Sequence, residues 1–164
     1  MLPLCFVLMP RGRKPAADGT LIDFEAIYDD LVAPSVAAAR LEAIRPDREA
    51  CGRIDVPTCE RLLLCDFAIA DLTTADGNVL YQLGLRQAMR PASTLHLFAA
   101  GNRPPPFDVE VLRALPYRVD ANGHPVDAGA GRQEIAMRLR EACAHAKEGS
   151  VFPLVENFPD IQRL

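Results

Sequence analysis

The segment Phe67-Ala68-Ile69-Ala70-Asp71-Leu72-Thr73-Thr74-Ala75-Asp76-Gly77-Asn78-Val79-Leu80-Tyr81-Gln82-Leu83-Gly84 constrains the fold more than any other part of the chain. It opens on an unbroken apolar run, which fits a strand buried on both faces. A polar loop follows, and then apolar positions at helical spacing. The strand closes on Asp71, and the helix carries Asn78 and Gln82 at i and i+4, on one face. Such a unit builds one wall of a pocket at the carboxyl edge of a parallel sheet, where ligands of open α/β sheets bind.

The rest of the chain continues the alternation of strand and helix. Leu4 to Met9 is another continuous apolar run and reads as a buried strand. Pro10 to Thr20, rich in Pro, Gly and basic residues, reads as a loop. Asp23 to Arg40 places Phe24, Ile27, Leu31, Val32 and Val36 at helical spacing, and Pro34 should kink this helix or begin a second segment. Leu41 to Ile44 is a short strand, and Pro46 to Asp55 is charged and irregular. Pro57 suits the first position of a helix ending near Leu64. Asn78 to Met89 is a helix stopped by Pro91, and Thr94 to Phe98 is a strand. Gly101 to Pro106 is a loop, Asp108 to Ala114 a short helix, Tyr117 to Val119 a last strand, and Arg132 to Lys147 a helix with Ile135, Leu139 and Cys143 on its apolar side.

This pattern predicts an α/β domain: a flavodoxin-like (Rossmannoid) open parallel sheet of about five strands, with helices on both faces and right-handed crossovers. Residues 1–149 form the domain, and 150–164 read as a C-terminal extension or the start of a linker to a further domain.

The net charge of −4 argues against a broad nucleic-acid surface, yet it is compatible with a local basic pocket for a small anion. The five cysteines are odd in number and show no C-x-x-C spacing, and Cys5 and Cys65 lie in apolar runs. A reduced, cytoplasmic protein is expected. The three histidines, His96, His124 and His145, are scattered, so neither a metal nor another cofactor is expected. The apolar start has no basic leader and reads as a strand rather than a signal peptide. No apolar run approaches the length of a membrane span.

Several residues fall where chemistry would sit. Asp71 either orients a sugar hydroxyl or caps loop amides. Asn78 either caps the helix or aims its amide at a ligand. Gln82 is flanked by Leu80, Leu83 and Leu85, and Gly84 beside it would permit close backbone approach. Arg11, Arg13 and Lys14, with Gly12 and Gly19 between and after them, either hold a phosphate or belong to a solvated loop, the plainer reading for any one of them. Arg45, Asp47 and Arg48 follow the second strand and either reach a ribose or base or form surface ion pairs. Tyr81 stacks on a base or packs on an interface. His96, within a strand, reads as structural.

The run Asn78-Val79-Leu80-Tyr81-Gln82-Leu83-Gly84 resembles the Asn-Val-Phe-Tyr-Glu-Leu-Gly signature of the nucleoside 2-deoxyribosyltransferase-like superfamily. That group is akin to nucleotide N-glycosidases and to enzymatic TIR domains. The likeness is strongest to the N-terminal module of bacterial TRAFs-binding-domain proteins. It extends over Cys5 to Pro10, Tyr28 to Pro34, Glu60 to Asp66 and Ala70 to Thr73.

The resemblance implies a domain that cleaves an N-glycosidic bond, as hydrolase or transferase, in a nucleotide, a nucleoside or NAD. It places Gln82 at the catalytic position with Asp71 orienting, and Asn78, Met9, Arg11, Gly12, Arg13, Arg45, Asp47 and Tyr81 around the substrate. It also implies a homo-oligomer and, in the full-length protein, a downstream domain. Two departures matter: Gln82 stands where these families carry a catalytic glutamate, and Arg11 stands where many carry an aromatic residue. A carboxylate stabilises or attacks the oxocarbenium-like centre that bond breaking creates, and a neutral amide does so poorly. Either the amide replaces an acid so that substrate is trapped, or the domain binds a nucleotide without cleaving it. The alternative function is therefore a catalytically inactive nucleotide-sensing or signalling module; a scaffold with a vestigial pocket is the third.

Overall fold

The computed structural model describes residues 2–45, 56–101 and 114–145. The expected helix at Asp108–Ala114, almost all of the Gly101–Pro106 loop, the 150–164 extension, Asp47 and Arg48 therefore lie at or beyond the limits of the described residues.

Five parallel strands form the centre: β1 (Leu4–Leu8), β4 (Glu42–Ile44), β5 (Phe67–Asp71), β6 (Thr94–Ala99) and β7 (Leu115–Val119). Their order in space is β4-β1-β5-β6-β7. This is the flavodoxin-like arrangement in which the second strand of the chain lies outside the first and the later ones run away on the other side. A sixth strand, β8 (Pro125–Val126), pairs antiparallel with β7, so the sheet is mixed at that edge. Two residues are too few to leave a period in the sequence.

Residues 10–20 are not wholly a loop. β2 (Arg13–Pro15) and β3 (Leu21–Asp23) make an antiparallel hairpin with Arg13 opposite Asp23 and Lys14 opposite Ile22. The strands are short, and Arg13 and Pro15 are exposed, so no apolar alternation marks them. The hairpin is fixed to the turn before β8: Asp23 N–H donates to Gly123 O at 3.1 Å, and Arg13 Nη2 donates to Asn122 O at 2.8 Å. Gly123 has φ +82°, and a Cβ there would stand 2.0 Å from Leu21 O.

The helix expected over Asp23–Arg40 is broken as its proline requires. Asp23 Oδ1 caps α1 (Phe24–Ile27) by accepting from Glu25 and Ala26 N–H. A π-helical turn (Tyr28–Val32) follows, and α2 (Ala33–Ala38) starts with Pro34 in its first turn. Proline has no N–H for an α-helical bond to residue 30, and the wide turn absorbs that loss. Ser35 Oγ donates to Leu31 O at 2.6 Å.

The remaining helices are α3 (Val56–Leu64), α4 (Gly77–Met89) and α5 (Ala128–His145), the last starting earlier than its apolar spacing predicts. No described helix is long and apolar enough to cross a membrane.

Strand alternation divides the core. Cys5, Val7, Phe67, Ile69 and Leu97 face Ile27, Leu31, Val36, Ile135 and Leu139. Phe6, Leu8, Ala68 and Ala70 face Leu62, Val79 and Leu83. Helices thus cover both faces, with α1, α2 and α5 on one and α3 and α4 on the other.

Arg86 of α4 has 0% exposure. Its Nη1 donates to Leu62 O at 2.8 Å and Cys65 O at 2.9 Å, its Nη2 to Ser93 Oγ at 2.8 Å and Asp66 O at 3.2 Å, and its Nε to Thr94 Oγ1 at 3.3 Å. It ties the end of α3 to α4 and the start of β6. His96 is buried, as expected, and Gln87 Nε2 donates to its Nε2 at 2.6 Å.

Candidate functional site

Strand order reverses between β1 and β5, because the chain leaves β1 for β4 on one side and later returns to β5 on the other. The loops after these two strands must diverge, and a crevice opens at their carboxyl ends. A cleft of about 210 Å³ lies there. One wall is the end of β1 and its continuation, Val7 to Arg11, joined by Lys14 from the hairpin and Arg45 just after β4. The other wall is the start of α4: Asp76, Asn78, Val79 and Gln82. The volume is below the range of about 300–1,000 Å³ usual for ligand pockets.

Of the residues expected from sequence, Met9, Arg11, Arg45, Asn78 and Gln82 come together here. Asn78 and Gln82 project from adjacent turns of α4, and Gln82 is half-buried. Gly12, with φ +65°, sits behind the wall: its N–H donates to Glu25 Oε1 at 3.0 Å, and its carbonyl accepts from Phe24 N–H at 3.0 Å. Arg13 is half-exposed and is used by Asn122 and by Asp23, 3.4 Å away. Tyr81 is 60% exposed and does not line the cleft. Gly84 faces open space, so no close backbone approach depends on it.

Asp71 does not line the cleft either. It shares the strand parity of Phe67 and Ile69, so it faces the layer of α1, α2 and α5, whereas α4 packs on the opposite face. Asp71 Oδ1 accepts from Thr73 N–H at 2.9 Å, and its Oδ2 accepts from Tyr117 OH at 2.7 Å. The Thr73 hydroxyl lies 3.0 Å from the Tyr117 oxygen and accepts from Ala99 N–H at 2.9 Å. This network closes the carboxyl ends of β5, β6 and β7. Burial raises the Asp71 carboxyl above its ordinary value despite those donors, and burial followed by the Asp71 charge raises Tyr117 well above its own.

The cap of α4 is Asp76, not Asn78: Asp76 Oδ1 accepts from the N–H groups of Asn78 at 3.0 Å and Val79 at 3.4 Å. Its Oδ2 accepts from Lys14 Nζ at 2.7 Å, an ion pair that joins the two walls. Burial works to raise the Asp76 carboxyl, but Lys14 and the two amides outweigh it and hold the group below its ordinary value.

Glu25, in the first turn of α1, is the residue that sequence reasoning missed. Its carboxylate accepts from Arg45 Nη1 at 2.7 Å and Nη2 at 3.3 Å and lies 3.8 Å from Arg11 Nη1. Burial raises Glu25, yet the Gly12 amide and the two arginines prevail and lower it. The only sequence signal was a carboxylate just past a helix cap, following a basic loop.

The Arg45 side chain is 5% exposed. It also donates from Nη2 to Pro10 O at 2.9 Å, and its guanidinium lies 4.6 Å from the centre of the Tyr28 ring. Its Nε is enclosed without a hydrogen-bond partner among the described residues. Burial lowers the Arg45 pKa, with Glu25 opposing.

Three cations, Arg11, Lys14 and Arg45, therefore line the cleft, against Asp76 in its wall and Glu25 behind it. The balance is locally positive in a chain whose net charge is −4. The cleft can hold an anion at one end and present two neutral amides, Asn78 and Gln82, to hydroxyls or base edges at the other. Among its described lining residues Asp76 is the sole carboxylate, and it is already engaged. No cluster with metal-ligand character occurs among the described residues. Compared with known proteins, the chain matches no family model, no curated protein and no solved structure.

Proposed function

We propose that this is an N-glycoside-handling domain of the bond-cleaving type, acting on a nucleotide, nucleoside or NAD, in which Gln82 holds the place of the nucleophilic or stabilising glutamate. One observation carries the reading: Gln82 lines the switch-point cleft one turn beyond Asn78, opposite Arg11, Lys14 and Arg45. A carboxylate at this point would face the anomeric carbon of a sugar bound by Asn78, and side chain or water would protonate the departing base. The amide keeps the shape of the cleft and withholds the negative charge. The chain as it stands binds its ligand and cleaves it slowly or not at all. Asp71, enclosed behind β5, supports the loop that carries α4 rather than touching the ligand.

The test is Gln82→Glu, incubated with nucleosides, nucleotides and NAD while free base is followed by chromatography. Base release by the glutamate form, with little or none from the parent chain, is expected. If neither form releases base from any of these compounds, cleavage is not the function of the scaffold.

A second reading is a nucleotide sensor, and the engaged state of Asp76 favours it, since no other carboxylate lines the described cleft. It predicts a raised melting temperature with one ligand and no base release from either form. Under both readings we place the protein in the cytoplasm, as a homo-oligomer; Cys5, Cys59 and Cys65 are free thiols, which suits a reducing compartment.

A further inference from the structure

We infer that the cationic end of the cleft is a phosphate subsite, and that the ligand is a phosphorylated N-glycoside of the nucleoside 5′-monophosphate class rather than a bare nucleoside. The identity of the rest of the ligand rests on the reading above; the phosphate does not.

The argument starts from the way Arg45 is held. A guanidinium withdrawn from water needs its donors satisfied. Glu25 takes the outer edge, through Nη1 and Nη2, and Pro10 O takes a further Nη2 proton. The Nε–H is left enclosed and unpaired among the described residues. A second anion that bonds to Nε completes the set without displacing Glu25. Tyr28 beneath the guanidinium restricts its tilt.

The neighbouring cations fit the same occupant. Arg11 forms an ion pair with Glu25 at 3.8 Å at the same end of the cleft, and its side chain is 28% exposed. Lys14 reaches across the cleft to Asp76 at 2.7 Å with 42% of its side chain exposed. A phosphate presents three oxygens to planar and point-charge donors together, which suits two arginines and a lysine. A bare nucleoside offers no charge to this end.

The experiment measures binding to the whole chain by calorimetry, using a nucleoside, its 5′-monophosphate, ribose 5-phosphate, inorganic phosphate and NAD. The monophosphate should bind more tightly than the nucleoside by about tenfold or more, with a preference that shrinks as salt is added. Arg45→Lys, which keeps the charge and loses the planar fork, should remove most of that preference. Arg11→Ala should do the same and decides the matter if the Arg45 variant does not fold. Tightest binding of NAD would move the subsite from a terminal phosphate to a bridging one and overturn the monophosphate assignment. Equal affinity for nucleoside and monophosphate overturns the subsite while sparing the N-glycoside reading. Binding of ribose 5-phosphate with no gain from an attached base supports the subsite and ends that reading.

Discussion

Arg86 and Arg45 both hold a guanidinium away from water, Arg86 with 0% exposure and Arg45 with 5% of its side chain exposed, but they are satisfied differently. Arg86 spends Nε, Nη1 and Nη2 on three carbonyls, two hydroxyls and the Cys65 sulfur, with no carboxylate hydrogen-bonded to it among the described residues. Arg45 leans on one half-exposed carboxylate and one carbonyl and keeps a donor in reserve. The first is a closed joint between elements. The second borders a cleft, and its incomplete set of partners separates an arginine at a cleft from one sealed inside a joint.

That contrast is most directly broken at Arg86. Arg86→Leu leaves the carbonyls of Leu62, Cys65 and Asp66 enclosed without this donor, and should cost about 3–5 kcal/mol in urea unfolding. A loss below about 1 kcal/mol would mean that the joint is not sealed.

Gly123→Ala addresses the hairpin that carries Lys14. The new Cβ would meet Leu21 O at 2.0 Å at a backbone angle that disfavours alanine, so β3 must shift. A loss of about 2 kcal/mol or more is expected in the same assay, with weaker ligand binding, because the cleft wall moves with the hairpin.

Arg45→Met should cost less, about 1–2 kcal/mol, since Glu25 is 46% exposed and regains water when its partner goes. A cost equal to that at Arg86 would erase the distinction drawn here.

Asp76→Ala should cost about 1 kcal/mol through the lost cap, seen as a lower melting temperature. It should also flatten the acid limb of stability. The folded Asp76 carboxyl lies below its ordinary value of 3.8, so the unfolded chain binds more protons across that window. The stability it lends is present above 3.8 and is lost as pH falls through the folded value.

The smallest effect is expected at Asp71, where the sign reverses. Its folded value is raised, so the folded chain holds the extra proton, and stability declines as pH climbs from 3.8 toward the folded value. Asp71→Asn should remove that decline. Parallel unfolding midpoints for the two proteins between pH 4 and pH 8 would show that the carboxyl does not titrate there.

The alternation of strand and helix was legible because β1 and most of β5 are unbroken apolar runs and the main helices carry an apolar period. The candidate site was legible where a strand end and a helix start meet: Asn78 and Gln82 follow from helical spacing, and Met9 from the family resemblance. What escaped had no period. The hairpin strands are short and polar-edged, and β8 has only two residues. Glu25 and Arg86 gain their meaning from partners far along the chain, as Arg86 does from Leu62 and Cys65. Asp71 was readable in part: it shares the strand parity of Phe67 and Ile69, which turns it away from α4, and it bonds the Thr73 loop amide, one of the two roles its position left open.

The wide turn at Tyr28–Val32 has one more consequence. It holds an additional residue relative to an α-helical turn, so Phe24, Glu25 and Tyr28 are indexed to α2 by that single insertion. Winding the same residues as a plain α-helix would rotate everything upstream by about 100°. Glu25 and Tyr28 would then swing away from Arg45 together, while the hydrophobic content of the chain stayed constant. A turn rewound in this way would dissociate the alignment of the binding groups from the cohesion of the fold.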